Sequence, residues 1–347
     1  AVPGLWATRD PGHEALTWEI WMPGRQLRRQ PLQWGGELQV TAHKATSTQL
    51  LPDGVSQEWR VLRFIPEKSS SNLIQAINKV SIDADGKLIE QCRNCLLMPY
   101  TKSIVSAVLT GLVMVHAPVF EELQEDKVGE NDISNGSNAG QREPRILCVG
   151  FGGGSIPSFL AEMLPQCHVD VVELEPAVIQ ASSDLGFQQD KRIHVTVQDG
   201  AVFAHCAVES GTGYDAVIVD AYDADGNVPA TFATEHSAFF EALASGLLAS
   251  RGVLVTNFLP GTDLAPVLMR QAEALSHRSD CLSFAIQAEG SGNLLALHLC
   301  GTPTRRPAKP ELCLRLWLAA CVVENSTACP FRVGRLATKG LREIQVR

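Results

Sequence analysis

Three acids stand at the ends of three short apolar runs: Glu173 after 168–172, Asp199 after 193–197, and Asp220 after 215–219. Ahead of them a fourth run, 146–149, stops at glycines 150, 152, 153 and 154. These residue types suit a nucleoside ligand. Glycines let backbone N–H groups come close to a bound group, and a helix starting near Ser155 adds the polar groups of its N-terminus. A carboxylate about twenty residues beyond such glycines is placed to accept both hydroxyl protons of a ribose, and Glu173 is at that distance. Each feature has a plainer reading. A glycine bulge needs no ligand, and one acid at a strand end is ordinarily a turn former or helix cap. Three acids in register behind a glycine loop point to a site at the carboxyl edge of an open α/β sheet.

The elements that must position these residues follow from periodicity. From 145 to about 300, apolar runs alternate with helical patterns near 155–164, 176–185, 200–208, 235–249 and 263–276. Strand five spans 252–258. Two further strands, 281–287 and 294–300, are joined by Glu-Gly-Ser-Gly-Asn, a connection short enough to make them antiparallel neighbours. The expectation is a doubly wound, mostly parallel α/β sheet of seven strands over 145–302. Ahead of it, turn signals at Pro52-Asp53-Gly54 and Asp83-Ala84-Asp85-Gly86 separate strands at 38–42, 59–65, 73–82 and 87–90. They define a small antiparallel β domain over 36–98, followed by a helix at 99–120. Residues 1–35 hold four of the six tryptophans and read as an irregular segment packed through its aromatics. Residues 121–144, with seven acids and two bases, read as a flexible linker. Residues 303–347 read as a terminal helix near 309–323 and an uninformative tail.

Composition narrows the classes. The chain has 347 residues, 45% hydrophobic and 19% charged, enough for a sizeable core. A net charge of −9 argues against a general nucleic-acid binder and is compatible with a basic substrate. The ten cysteines sit mostly in apolar runs and read as small buried hydrophobes in a reducing compartment. Cys92 and Cys95 form a CxxC without the second ligand pair that zinc requires, so no metal is expected. The most apolar stretch, 104–120, is broken by Ser106, Thr110, His116 and Pro118, which speaks against a membrane span. A cytoplasmic location is expected, and an organelle leader removed ahead of Ala1 is compatible with the sequence.

The stretch Asp215-Ala-Val-Ile-Val-Asp-Ala-Tyr-Asp-Ala-Asp-Gly resembles the signature of the spermidine synthase-like branch of the AdoMet-dependent methyltransferase superfamily. Asp220, Asp223, Gly226, Phe232, Thr234 and Glu235 fall in step with that signature, and the small β domain suits the branch. The resemblance implies S-adenosyl-L-methionine (AdoMet) as cofactor. The backbone of Gly150, Gly152, Gly153 and Gly154 would hold its methionine part, Glu173 its ribose, and Asp199 with Gly200 its adenine edge. Asp220, beside the cofactor, and Asp223 would be catalytic, accepting a proton from an amine or orienting it. Tyr100 and Tyr222 would line the acceptor pocket.

Two departures bear on function. The synthases carry an Asp where this chain has Gly153, and in that family it helps hold the aminopropyl amine of decarboxylated AdoMet. An Asp there would repel the carboxylate of intact AdoMet. Where the synthases hold a diamine, this chain has Leu96-Leu97-Met98-Pro99-Tyr100-Thr101-Lys102, and Lys102 suits a cationic diamine poorly. The Gly-Phe-Gly-Gly-Gly-Ser loop is similar to that of the elongation factor lysine and N-terminal methyltransferases. The expectation is therefore a methyltransferase with an unidentified acceptor, a protein amine among the candidates. The alternatives are a polyamine aminopropyltransferase and a fold-retaining binding protein without catalysis. The resemblance also implies a homodimer through the N-terminal β domain.

Overall fold

In the first sheet, polar and apolar side chains alternate along strands whose two faces bury different cores. The computed structural model describes residues 18–45, 51–67, 73–116, 143–222, 228–232, 237–261, 265–276, 281–302 and 307–343. The acidic stretch before residue 143 lies outside the described residues, as do Asp223, Asp225, Gly226, Thr234 and Glu235. The first sheet is antiparallel, ordered β1 (Arg25–Pro31), β2 (Glu37–Lys44), β3 (Ser56–Ile65), β4 (Leu73–Ile82), β5 (Leu88–Gln91). Leu38, Val40, Leu62 and Ala76 join the main core, while Trp59, Val61 and Ile77 form a small separate one with Ile20 and Leu97. β1 corrects the expectation of an irregular segment over 1–35. Its sequence, Arg-Gln-Leu-Arg-Arg-Gln-Pro, has one apolar side chain inside and lies at a sheet edge, where pairing with β2 replaces burial as the reason to be extended.

Helix α1 (Pro99–His116) leads to the second sheet. That sheet is built from β6 (Arg145–Val149), α2 (Ser155–Met163), β7 (His168–Glu173), α3 (Pro176–Ala181), β8 (Ile193–Val197), α4 (Gly200–Glu209), β9 (Tyr214–Val219), α5 (Ala238–Ser245), β10 (Leu248–Phe258) and α6 (Ala265–Ser276). The hairpin β11 (Cys281–Gln287) and β12 (Leu294–Cys300) closes the series. The strand order is β8-β7-β6-β9-β10-β12-β11, with β10–β12 and β11–β12 antiparallel and the other pairs parallel. Along β6, Ile146 and Cys148 enter one core, and Leu147 and Val149 the other. Burial on both faces explains why these strands read as continuous apolar runs.

The seven expected strands are joined by an eighth. A two-residue strand, β13 (Arg342–Glu343), pairs with β11 at the edge. It follows α7 (Lys309–Ser326) and α8 (Val333–Thr338), in the tail that carried no readable pattern. α7 and α8 pack on each other and on α1.

The chain runs β6 to β7 to β8, then returns to place β9 on the other side of β6. This reversal is the switch point of the sheet, where a crevice is expected at the carboxyl ends of the strands.

Candidate active site

A cavity of about 580 Å³ opens at that crevice, walled on one side by the parallel strand ends and on the other by the antiparallel sheet. The glycine loop forms its floor. Gly150 has φ +98°, and a Cβ there would lie 2.3 Å from the carbonyl oxygen of Asp220, so only glycine lets β6 and β9 close at the switch point. Gly152 (φ +55°) faces open space on the cavity side, the cradle into which a ligand's own atoms fit. Gly153 lies in a small recess adjoining the main cavity, shared with Gln75, Ala76, Tyr100 and Asp220. A Cβ at Gly153 would be 2.5 Å from the Cβ of Ala76, and its carbonyl accepts a 2.7 Å hydrogen bond from buried Asn78. Gly154 is not part of the lining. It packs against Phe151 and Phe187 and starts α2.

The three acids do converge. Glu173 Oε2 accepts from the Phe151 N–H and Oε1 from the Glu175 N–H, both at 2.9 Å. Each oxygen keeps a further acceptor position, and Glu173 lines the cavity. Burial pushes its pKa up, against the pull of those two N–H groups. Asp199 is the N-cap of α4: its Oδ1 accepts from Ala201 N at 2.9 Å and Val202 N at 3.1 Å. The plain capping role is therefore met while Asp199 and Gly200 also line the cavity. Phe232 closes the wall beside Gly200.

Asp220 follows β9 with its N–H on the Val149 carbonyl and Oδ1 accepting from Asn257 Nδ2 at 2.9 Å. Burial raises its pKa to about 6, and the Asn257 bond opposes that rise. Such a carboxyl is poised to exchange a proton near neutral pH. Asn257 is itself held. Its Oδ1 accepts from Asn293 Nδ2 at 3.0 Å, so its amide must turn the NH2 toward Asp220. Its backbone carbonyl accepts from the Tyr222 hydroxyl at 2.8 Å. Both tyrosines line the cavity. The Tyr100 hydroxyl, which donates to the Gln75 carbonyl at 3.5 Å, and the Tyr222 hydroxyl are both pushed up by burial and by the charge of Asp220, so both stay protonated. Lys102 is buried on another face of α1, 5.8 Å from the Phe331 ring, and does not line the cavity. Asp223 lies outside the described residues.

Asn257, Asn293 and Glu175 were not singled out from sequence. Asn257 is the lone amide in Gly-Val-Leu-Val-Thr-Asn-Phe, at the same strand edge as the three acids, and that was a readable signal. Asn293 belongs to the hairpin turn and carried none. Glu175, only 1% exposed, accepts from Ala177 N at the start of α3 and from Gln33 N in the turn between β1 and β2. Gln33 precedes Trp34, which lies on the cavity rim and packs edge-on to Phe64. Among the described lining residues the charged ones are Glu67, Glu173, Asp199 and Asp220, all acidic.

The fold and this site define a class of α/β proteins with a ligand crevice at the switch point, and the similarities of the chain agree. No family model matches it. It is 32% identical over 173 residues to a polyamine aminopropyltransferase from Vibrio vulnificus, covering 48% of this chain and 54% of that protein. It is 30% identical over 120 residues to an eEF1A lysine and N-terminal methyltransferase from Xenopus laevis, covering 33% of this chain and 17% of that protein. A solved structure of human methyltransferase-like protein 13 in complex with SAH superposes with a TM-score of 0.48 at 22% identity, over 66% of this chain and 91% of that one. Over parts of its length the chain is therefore similar both to an aminopropyltransferase and to methyltransferases. It spans about half the length of the first of these curated relatives and less of the others.

Proposed function

We propose that this chain is an AdoMet-dependent methyltransferase acting on an amine, with a protein lysine or N-terminal amine as the acceptor class its methyltransferase relatives favour. The observation that carries this reading is the packing of Gly153 on Ala76. At the loop position that holds an acid in the synthases, a side chain would start 2.5 Å from the Cβ of Ala76 on the neighbouring sheet, so an acid grasping an aminopropyl amine does not fit there without a shift.

The residues present fit the cofactor. The open face of Gly152 and the N–H groups of the loop suit the methionine part, and the free acceptor positions of the cavity-lining Glu173 suit ribose hydroxyls. Gly200 and Phe232 offer a slot for adenine beside Asp199. Bound AdoMet would supply a methyl already activated on a sulfonium. The chain's own work is orientation, exclusion of water and handling one proton. The acidic lining draws a cationic amine in. Asp220 accepts a hydrogen bond from that amine and takes its proton, and Asn257 keeps the carboxylate aimed. Tyr100 and Tyr222, protonated, flank the acceptor. Asp223 is assigned a supporting role on the resemblance alone.

A second reading, polyamine aminopropyltransferase, is favoured by the wholly acidic lining and by the match to the Vibrio vulnificus protein. Isothermal titration of the full chain with AdoMet and with decarboxylated AdoMet separates the two. Tight binding of AdoMet alone supports methyl transfer. A preference for the decarboxylated form puts aminopropyl transfer first, and binding of neither leaves a scaffold. The proposed homodimer is checked by the mass of the chain in solution. No described helix is long and apolar enough to cross a membrane; a cytoplasmic site of action remains part of this proposal.

A further inference from the structure

Away from the cavity, the hairpin β11–β12 carries two cysteines directly opposite each other. Cys281 pairs with Cys300 in the strand register, and their sulfurs are 3.8 Å apart. Opposed residues of an antiparallel pair have Cα atoms about 4.5–5.5 Å apart, inside the range of about 4.4–6.8 Å that disulfides span. Only the sulfurs need to move, from 3.8 Å to about 2.05 Å. Access is asymmetric. Cys281 is half-buried at the start of its strand, whereas Cys300 is 3% exposed. One sulfur can meet a reagent and the other can resolve the adduct.

We propose that Cys281 and Cys300 form a reversible dithiol–disulfide pair, oxidised by a small-molecule disulfide such as glutathione disulfide. The Cys281 thiolate attacks one sulfur of the reagent and releases one glutathione, leaving a mixed disulfide. The Cys300 thiolate then attacks Cys281 Sγ, forms the cross-strand bond and expels the second glutathione. The protein loses two electrons, the reagent gains them, and the two thiol protons end on the two glutathiones.

The pair is wired into a buried polar chain. Cys281 Sγ lies 3.9 Å from Ser283 Oγ, which meets His298 Nδ1 at 2.9 Å. His298 Nε2 meets Gln271 Oε1 at 3.2 Å, and Gln271 donates to Thr256 at 2.9 Å, the residue before Asn257. The other end of the hairpin carries Asn293, which orients Asn257. Cross-linking the open end therefore fixes the register of the hairpin whose turn holds Asn257 and, through it, Asp220.

The test incubates the full chain with glutathione disulfide or with dithiothreitol, blocks remaining thiols, and maps peptides by mass. The expected result is a linked peptide joining residues 281 and 300, lighter by two hydrogen atoms, lost on reduction and in Cys281→Ser and Cys300→Ser. The oxidised chain should also melt a few degrees higher, as closure of a loop of this size predicts. A stable glutathione adduct on Cys281 without a cross-link would overturn the proposal. So would two thiols that remain unmodified while other cysteines of the chain react.

Discussion

Asp220, the proton acceptor of the proposed reaction, sits in the site at a cost in stability. Its folded pKa of about 6 lies above the unfolded value of about 3.9, so protonation favours the fold. Its contribution is full below about pH 4 and is lost as the pH rises through 6. Asp220→Asn keeps the shape without the charge. We expect it to melt higher at pH 7.5, by about 1–2 kcal/mol of stability, and no higher at pH 4. The same variant should lose about 10²–10⁴ in kcat with whichever cofactor the titration selects. For the native chain, kcat should fall below an inflection near pH 6; a flat profile down to pH 5 would remove Asp220 as the proton acceptor. Asn257→Ala deletes the bond that holds this pKa down, so the inflection should move up, and Asn293→Ala should move it the same way by less. A merely structural role for either amide would alter melting and leave the inflection in place.

The elements divide the work between strands that could be read and supports that could not. β4, β11 and β12 were legible to the residue at both ends, because apolar runs bounded by turn residues leave little choice. The glycine loop and the three acids were legible for the same reason: each marks the point where an apolar run stops. β1 was not, since an edge strand rich in arginine and glutamine has no hydrophobic period. The helix near 309–323 was legible and is α7, but the residues after it, α8 and β13, were not, nor was the way α7 packs. α7 shows a face of exposed Leu314, Trp317, Leu318 and Val322 as well as a buried one, so its sequence does not announce which side packs. Yet the tail holds the site's far wall. Lys339 and Arg335 pair with buried Glu289 in the hairpin turn, whose N–H also reaches Ser103 of α1. Across α6, β10, β11 and β12 runs the polar chain centred on His298, fully buried and with its pKa lowered to about 4 by burial. Because the folded value lies below the unfolded one of about 6.5, neutral His298 supports the fold above pH 6.5. That support fades as the pH falls toward 4, by about 3 kcal/mol in all. His298→Gln should flatten acid destabilisation in a series of melts between pH 7 and 4, and an unchanged slope would show that the histidine does not titrate there.

At the scale of the whole molecule, the two sheets are joined through the glycine-loop half of the site. Asn78 of β4 donates to the carbonyls of Gly153 and Leu185, Gln91 meets Ser158 of α2, and Arg28 and Arg93 pair with Asp184 and Asp190. Glu175 ties Gln33, and with it the Trp34 rim, to the strand end that carries Glu173. Bonds this numerous and this buried bind the two units into one folding transition. Calorimetry of the full chain should show a single melt that shifts upward as a whole with saturating cofactor. Glu175→Gln, which leaves one buried N–H without its acceptor, should lower that melt by about 1–3 kcal/mol of stability. Two separate transitions, with only the second responding to cofactor, would refute the coupling.

The contact between Gly153 and Ala76 also constrains history. An acid at position 153 cannot arrive first, because its Cβ would meet a buried methyl group 2.5 Å away on a different sheet. Ala76 would have to shrink to glycine beforehand, a step that loosens β4 and brings no advantage until the second change follows. If the proposed reading holds, the preference between two forms of a sulfonium donor would be recorded at two distant positions of the chain, and lineages that changed donor should have changed both, residue 76 before residue 153.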